Sequence, residues 1–573
     1  LTPLTSFTRH PVRFLSLAKS TGTMAFTYDG EIYVLPAGGK PRKLDISLIS
    51  DDADPTTEYS ASNISEAAVS PDGKQVAYIS RGEIFVTSTE YPSVKQITHT
   101  PEGESDLTWG RDGRELYYTS ERSGHYNIYR AKIARKEDPN FSNATLITEE
   151  PVFDNDTIDR TMPSLSPDGK TLAFTADRNR IMALDLKSGK VRNLGNGIII
   201  PHRNKGVESI WSPDSKWILV EYINLHHDPY SDIAVIDATT GDMHYITRSG
   251  YFNQSPHWAM DGKAIIYLSE RYGMRNHASW GSMYDVMITF LDDDAYHKFH
   301  LSEEDYALLK EVEKAREKAS KNDKESDKKD KKKSDKESEK APKEEPWTPD
   351  FNGVEKRTIR LTPNSSELSD GIITNDGATL YYLSAVEGGY DLWKKDLRKG
   401  DVSLAKKLDA GASRMQMDND GAIYLLGHSI KKFDPKGEKL KSVSLGGKLK
   451  MDRAKERDYM LRHVYNEVCE RFYVPHLNGV DWEGYYKDYA KFLPHISNNY
   501  DYAVLLSELL GELNVSHSGG RYRPRGANEP TASLGLLYDM AYQGQGLKVA
   551  EIVEDGPFDK SNSAMKPGAV ITA

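Results

Sequence analysis

The stretch whose residue types and spacing could do proton-transfer chemistry is Val515-Ser516-His517-Ser518-Gly519-Gly520. An imidazole titrates near neutrality, so a His delivered by a rigid element can act as a general base. A neighbouring hydroxyl, here Ser516, can help fix its tautomer, the orienting role a carboxylate plays in a Ser-His-Asp triad. On residues alone, a His just past a helix is also an ordinary capping or surface side chain, so the pair by itself sets no activity. His226-His227-Asp228 invites a metal reading and fails it. Adjacent side chains on extended backbone point to opposite faces, and no third ligand can be named, which leaves a polar loop. Cys469 is the single cysteine, which excludes an intrachain disulfide framework and any multi-cysteine zinc site. No cofactor and no metal is expected.

The elements that must position His517 can be read next. Leu461, Val464, Tyr465, Val468 and Phe472 fall on one face of an α-helix, which Pro475 and Asn478-Gly479 end. A second helix is predicted from Trp482 to Phe492, stopped by Pro494. A third starts near Asn499-Tyr500-Asp501 and runs through Leu509-Leu510, so that it delivers His517 into a glycine-containing loop. Beyond it, Ser533–Asp539 and Leu547–Val553 read as strands, with a helix predicted over Asp559–Ala564 and a further turn at Lys566-Pro567-Gly568. A strand edge of this kind can accept a peptide by strand addition.

Everything upstream repeats. Ser70-Pro71-Asp72-Gly73-Lys74, Ser166-Pro167-Asp168-Gly169-Lys170 and Ser212-Pro213-Asp214-Ser215-Lys216 each precede an apolar strand, as do Asp112-Gly113, Asp261-Gly262, Asp376-Gly377 and Asp420-Gly421. Asp-Gly supplies the positive φ of a tight turn between strands rich in β-branched and aromatic residues. Five of the six gaps between these Asp residues (40, 56, 46, 47, 115 and 44) fit a four-stranded blade of about 40–50 residues. The exception is charge-rich: 22 of the 30 residues from Glu311 to Lys340 are Lys, Arg, Asp or Glu, too polar to offset the entropy of ordering. It reads as a solvated insertion at about 305–347, with helix-favouring composition from Ser302 to Ala319. Trp109, Trp211 and Trp258 recur near equivalent blade positions and read as core. The fold class is mainly β: a seven-bladed β-propeller, eight units if the one around Thr23–Leu35 is counted, then a small helical domain and a last small domain with strands.

The chain has 573 residues and a net charge of −11, with no apolar run that could span a bilayer. The acidic balance argues against a general nucleic-acid or anionic-membrane binder. Its opening Leu1-Thr2-Pro3-Leu4 and its closing Val570-Ile571-Thr572-Ala573 read as cut ends of a longer protein.

The Ser-Pro-Asp-Gly-Lys blades, the helical segment with Asp481-Trp482, the run Leu513-Asn514-Val515-Ser516-His517-Ser518 and the later Leu534-Gly535-Leu536 and Lys566-Pro567-Gly568 resemble, in that order, the tricorn protease family. The resemblance implies a serine peptidase with a Ser-His-Ser-Glu tetrad that hydrolyses oligopeptides and assembles as a homo-hexamer. It matches His517 to the general base and Ser516 to the tetrad serine beside it. It implies a nucleophile, a glutamate and an oxyanion-hole glycine in a later catalytic domain, so that this stretch alone would be inactive. It further implies an open propeller channel that gates access and is the route for substrates or products, and a cytoplasmic location, with the periplasm as the alternative. The resemblance implies the division 1–46, a blade-like unit that is either the end of an upstream propeller or an eighth unit of this one; 47–448, the propeller; 449–525, the helical domain carrying Ser516 and His517; and 526–573, a truncated PDZ-like domain. The competing expectation is a non-enzymatic propeller of the cell envelope that binds peptides or proteins; the blades fit it equally well, the Ser-His loop does not.

Overall fold

The repeated turns form as their chemistry dictates. In the first, Ser70 Oγ donates to Asp72 Oδ1 (2.7 Å), and the amides of Lys74 and Gln75 donate to Asp72 Oδ1 (3.1 Å) and Ser70 Oγ (3.0 Å). The same Ser/Asp pair organises the turns at Ser166/Asp168 and Ser212/Asp214, and Thr374/Asp376 substitutes for it later. Gly73 takes φ +65°; at the one turn without glycine, Ser215 adopts φ +62°. The structure, a computed structural model, describes residues 2–47, 56–154, 157–195, 206–223, 226, 228–275, 281–315, 347–523 and 533–572.

Seven four-stranded antiparallel sheets follow one another along the chain, over residues 66–96, 104–151, 160–194, 210–245, 253–360, 367–410 and 414–442. In each the strand order is the chain order. The second and third strands carry the core: every residue of Gln75–Ser80 and of Glu83–Ser88 is buried. The ring is stitched from blade to blade. Trp109, Trp211 and Trp258 each donate their indole N–H over 2.9 Å to a carbonyl of the preceding blade, that of Ala68, Ser164 and Ile210 respectively. The innermost strands bulge at Asp106, Met162 and Ser255, all at φ between +52° and +59°. Each bulge amide is held by a carboxylate: Glu66 takes the Asp106 and Leu107 amides (2.8 and 2.6 Å), Asp106 that of Met162 (3.2 Å) and Glu221 that of Ser255 (3.1 Å). These bonds offset the cost of left-handed backbone at residues with a side chain.

Among the described residues no strand is exchanged where the ring closes. The Gln416 amide of the last blade clamps Val69 of the first, accepting its N–H (2.9 Å) and donating to its C=O (3.2 Å). Tyr424 OH donates to Gly73 O (2.7 Å), and Val69, Val76, Tyr78 and Phe85 share one core with Tyr424, Ile430, Leu449 and Met451. The chain enters the ring on Thr56–Ser60 and leaves it on Lys448–Asp452, and these two strands pair antiparallel.

A second repeat went unread in the sequence. In three blades a buried acid opens the third strand and a Thr follows the fourth. Thr98 Oγ1 donates to Glu83 (2.6 Å), Thr247 Oγ1 to Asp232 (2.7 Å) and Thr362 Oγ1 to Asp285 (2.7 Å). The same three hydroxyls accept the amides of Ile84, Ile233 and Val286.

The insertion that widens the gap between Asp261 and Asp376 lies between the third strand of the fifth blade, Asp285–Phe290, and its fourth, Thr358–Arg360. Helix α1 (Asp293–Phe299) packs Tyr296 and Phe299 on Phe290, and α2 (303–315) follows; the rest of the predicted charged insertion, 316–346, lies outside the described residues. The predicted extra unit forms its own sheet (Arg13–Ala18, Thr23–Tyr28, Glu31–Leu35, Arg42–Lys43) outside the ring. It repeats the blade bulge, with Phe14 at φ +52°.

Helices α3 (Arg453–Arg471) and α4 (Trp482–Ala490) belong with the ring in one unit, residues 1–497. Helix α3 lies on the loops of the first three blades. Tyr459 OH donates to Glu121 (2.5 Å), on which His463 Nδ1 also bears (2.8 Å); Tyr126 OH and Arg178 both donate to Glu467 (3.1 and 2.8 Å). Helix α4 holds the extra sheet through Lys491–Asp29 and Arg9–Asp488. A second unit, residues 498–573, contains α5 (Asn499–Gly511) and the strands Leu536–Tyr538, Leu547–Ile552 and Val570–Ile571. The helix expected over Asp559–Ala564 is a series of turns, because Gly556-Pro557 and Ser561-Asn562-Ser563 favour turn hydrogen bonds over a helical ladder. No helix among the described residues is long and apolar enough to cross a membrane.

Two outcomes follow from the acid–threonine locks. Thr247→Val leaves the Ile233 amide and Asp232 without their shared partner and should cost about 1–3 kcal/mol in urea unfolding. Burial, ahead of every other influence, pushes the Glu83 carboxyl up to about 7. A carboxyl raised by folding stabilises the native state below its unfolded value near 4.5 and loses that contribution as pH rises through about 7. Wild-type unfolding free energy should therefore fall relative to that of Glu83→Gln between pH 5 and pH 8; parallel profiles would contradict this.

Candidate active site

Helix α5 forms because its sequence supplies both a cap and a face. Asn498 Oδ1 accepts the Asp501 amide (2.9 Å), and its Nδ2 donates to the Asp501 carboxylate (2.7 Å). Tyr502, Leu505 and Leu509 are buried at spacings of three and four, and Leu513 continues the stripe one turn beyond the helix. Leu513 anchors the start of the loop that carries Ser516 and His517.

The loop turns back on α5. Asn514 (φ +53°) and His517 (φ +62°) both adopt left-handed backbone, and Ser518 Oγ donates to Val515 O (3.1 Å). Gly520 runs so close to the helix that a Cβ there would sit 2.9 Å from Leu506 Cβ and 3.1 Å from Ala503 O. Ser516, His517 and Ser518 are all exposed. No hydrogen bond joins Ser516 to His517 among the described residues. What the turn offers is a solvent-facing imidazole on a fixed, strained backbone, able to accept and return a proton.

The other residues singled out in the sequence fall elsewhere. His226 and Asp228 are exposed, and His227 lies outside the described residues. Among the described residues no group of three His, Cys, Asp or Glu side chains gathers as metal ligands. Cys469 is exposed on α3. The three tryptophans are structural, as their indole hydrogen bonds show. Sequence reasoning missed the charged residues of the innermost strands, Glu66, Asp106, Asp370 and Arg414, and Glu208 just ahead of one. Their signal was a polar residue within a few positions ahead of the Trp or turn in each unit.

Residues 453–511, spanning α3 to α5, match the family model of the tricorn protease C1 domain. The chain is 23% identical over 406 aligned positions to tricorn protease homolog 1 of Streptomyces coelicolor, covering 65% of this chain and 35% of that protein. It is 22% identical to the tricorn-like protease C-terminal subunit of Sulfurisphaera tokodaii, covering 98% of this chain and 61% of that one. The Tol-Pal system protein TolB of Francisella tularensis is 23% identical over 41% of this chain. The crystal structure of the tricorn protease superposes with a TM-score of 0.67 at 17% identity, over 96% of this chain and 50% of that one. The chain thus spans between about a third and three fifths of these tricorn proteins and is tricorn-like in fold.

Removing the α5 cap tests how firmly the His517 turn is founded. Asn498→Ala should cost about 1 kcal/mol and raise amide exchange through the first turns of α5, with the exchange of ring strands unchanged.

Proposed function

We propose that this chain supplies the propeller and the general base of a tricorn-type serine peptidase that hydrolyses oligopeptides. The observation that carries the reading is positional. His517 stands six residues (517 − 511) past the segment matched to the tricorn C1 domain, on the turn that α5 presents to solvent. In this reading His517 takes a proton from a serine hydroxyl contributed by a later catalytic domain, and Ser516 helps orient the imidazole. Backbone amides of that domain stabilise the oxyanion. The strands of 533–572 are the start of a PDZ-like module, and the sheet of 13–43, with its blade bulge at Phe14, belongs to a further propeller upstream. The axis of the seven-bladed ring is the route for peptides, and the working assembly is a hexamer in the cytoplasm.

The blade repeat also supports an envelope scaffold, given the likeness to TolB. That likeness covers 41% of the chain, whereas the tricorn-like subunit covers 98% and includes the helices and the His517 turn, which favours the peptidase.

A chain extended to tricorn length should cleave short peptides, and the 573 residues alone should not. In the extended chain His517→Ala should lower turnover by at least about 100-fold, the scale of one general base, while Ser516→Ala should lower it less. Full turnover in the His517→Ala enzyme would overturn the assignment.

A further inference from the structure

The innermost strands put one ion pair where it links distant blades. Arg414 opens the innermost strand of the seventh blade, and its Nη2 lies 2.9 and 3.0 Å from the two carboxylate oxygens of Glu208. Glu208 leads into the innermost strand of the fourth blade, Ile210–Trp211. The two residues are 206 positions apart, and their blades are three steps apart in a ring of seven, roughly 150° around its axis. A side chain that leaves the seventh blade and ends on the fourth crosses the middle of the ring.

The surroundings agree with that placement. The charge of Glu208 is the foremost influence holding the Arg414 guanidinium above its ordinary value, and Asp370 of the sixth blade and Glu66 of the first add to it. One guanidinium therefore feels carboxylates from the first, fourth and sixth blades. Asp370 is fixed by His257 of the fifth blade (2.8 Å) and by the Met415 amide (2.7 Å), and Glu66 by two bulge amides. Arg414 and Glu208 themselves keep long, solvated side chains, 67% and 53% exposed. Both are still solvated, so the bond is weak and can part.

We propose that Arg414 and Glu208 form a bar across the axis of the propeller, closing it to peptide-sized molecules while paired and opening it when the pair parts. This goes beyond the peptidase reading and does not depend on hydrolysis. The expected open channel is then a barred one. The fixed groups around it, Glu66, Asp370 and His257, hold the walls; the bar is the part that moves.

Accessibility at the level of the bar tests it. Ser255, half-buried on the bulge of the fifth blade and bonded to Glu221 of the fourth, is replaced by cysteine in the 573-residue chain. The exposed Cys469 serves as an internal reference in every sample. The ratio of labelling at the two cysteines is read with a small and a bulky methanethiosulfonate reagent. With the bar intact, the small reagent should label Ser255→Cys and the bulky one should lag about two- to fivefold behind Cys469. Arg414→Ala and, separately, Glu208→Gln should each remove most of that lag, with circular dichroism and melting temperature confirming a folded ring. An equal ratio in all variants would overturn the proposal, as would a lag that persists in both. Either result would leave the His517 assignment standing.

Discussion

The structure depends on how its ring closes. Seven blades succeed one another without sharing a strand, so the join between the last and the first rests on side chains rather than on a completed sheet. The Gln416 amide reads both polar groups of Val69, Tyr424 reaches the carbonyl of Gly73, and a shared apolar core seals the seam. Each buried polar group of such a seam must be met. The pairing of Thr56–Ser60 with Lys448–Asp452 adds a backbone tie at the same place, where the chain enters and leaves.

That closure sets the platform for α3. Its polar partners, Glu102, Glu121, Tyr126 and Arg178, come from the first three blades. A ring that opened would scatter these loops and loosen the helix. The match to the tricorn C1 domain begins at the first residue of this helix, so the segment most specific to the family starts where the ring hands over to helices.

Much of this was legible. Asp-Gly turns announce their own geometry, since few residues tolerate positive φ; even the Asp214-Ser215 copy was readable, because its Ser/Asp hydrogen bonds match the others. The three helices follow from apolar spacing and from Asn and Pro at their ends. The charge-rich insertion explained the long gap and marked the fifth blade. What stayed hidden depends on distant partners. Nothing in the local pattern of Thr247 or Thr362 says that each closes on an acid some 15 or 77 positions away. The carboxylate relay along the bulges and the Arg414–Glu208 pair are likewise properties of a closed ring. The helix expected after Phe558 failed for the opposite reason, since local turn chemistry was stronger there than the weak apolar pattern. Ser516 and His517 were found as neighbours in sequence, but adjacency on a strained turn does not make them a hydrogen-bonded pair.

The central claim is that the His517 imidazole exchanges a proton with a serine supplied from outside this stretch of chain. The measurement that bears on it most directly is the 13Cε1 resonance of His517, assigned by substitution, followed through a pH titration of the tricorn-length protein before and after a phosphonofluoridate modifies its reactive serine. The account predicts that modification shifts the His517 titration, because the imidazole loses its hydroxyl partner and faces the new phosphonyl group. An unchanged His517 titration, with the serine fully modified, would contradict it.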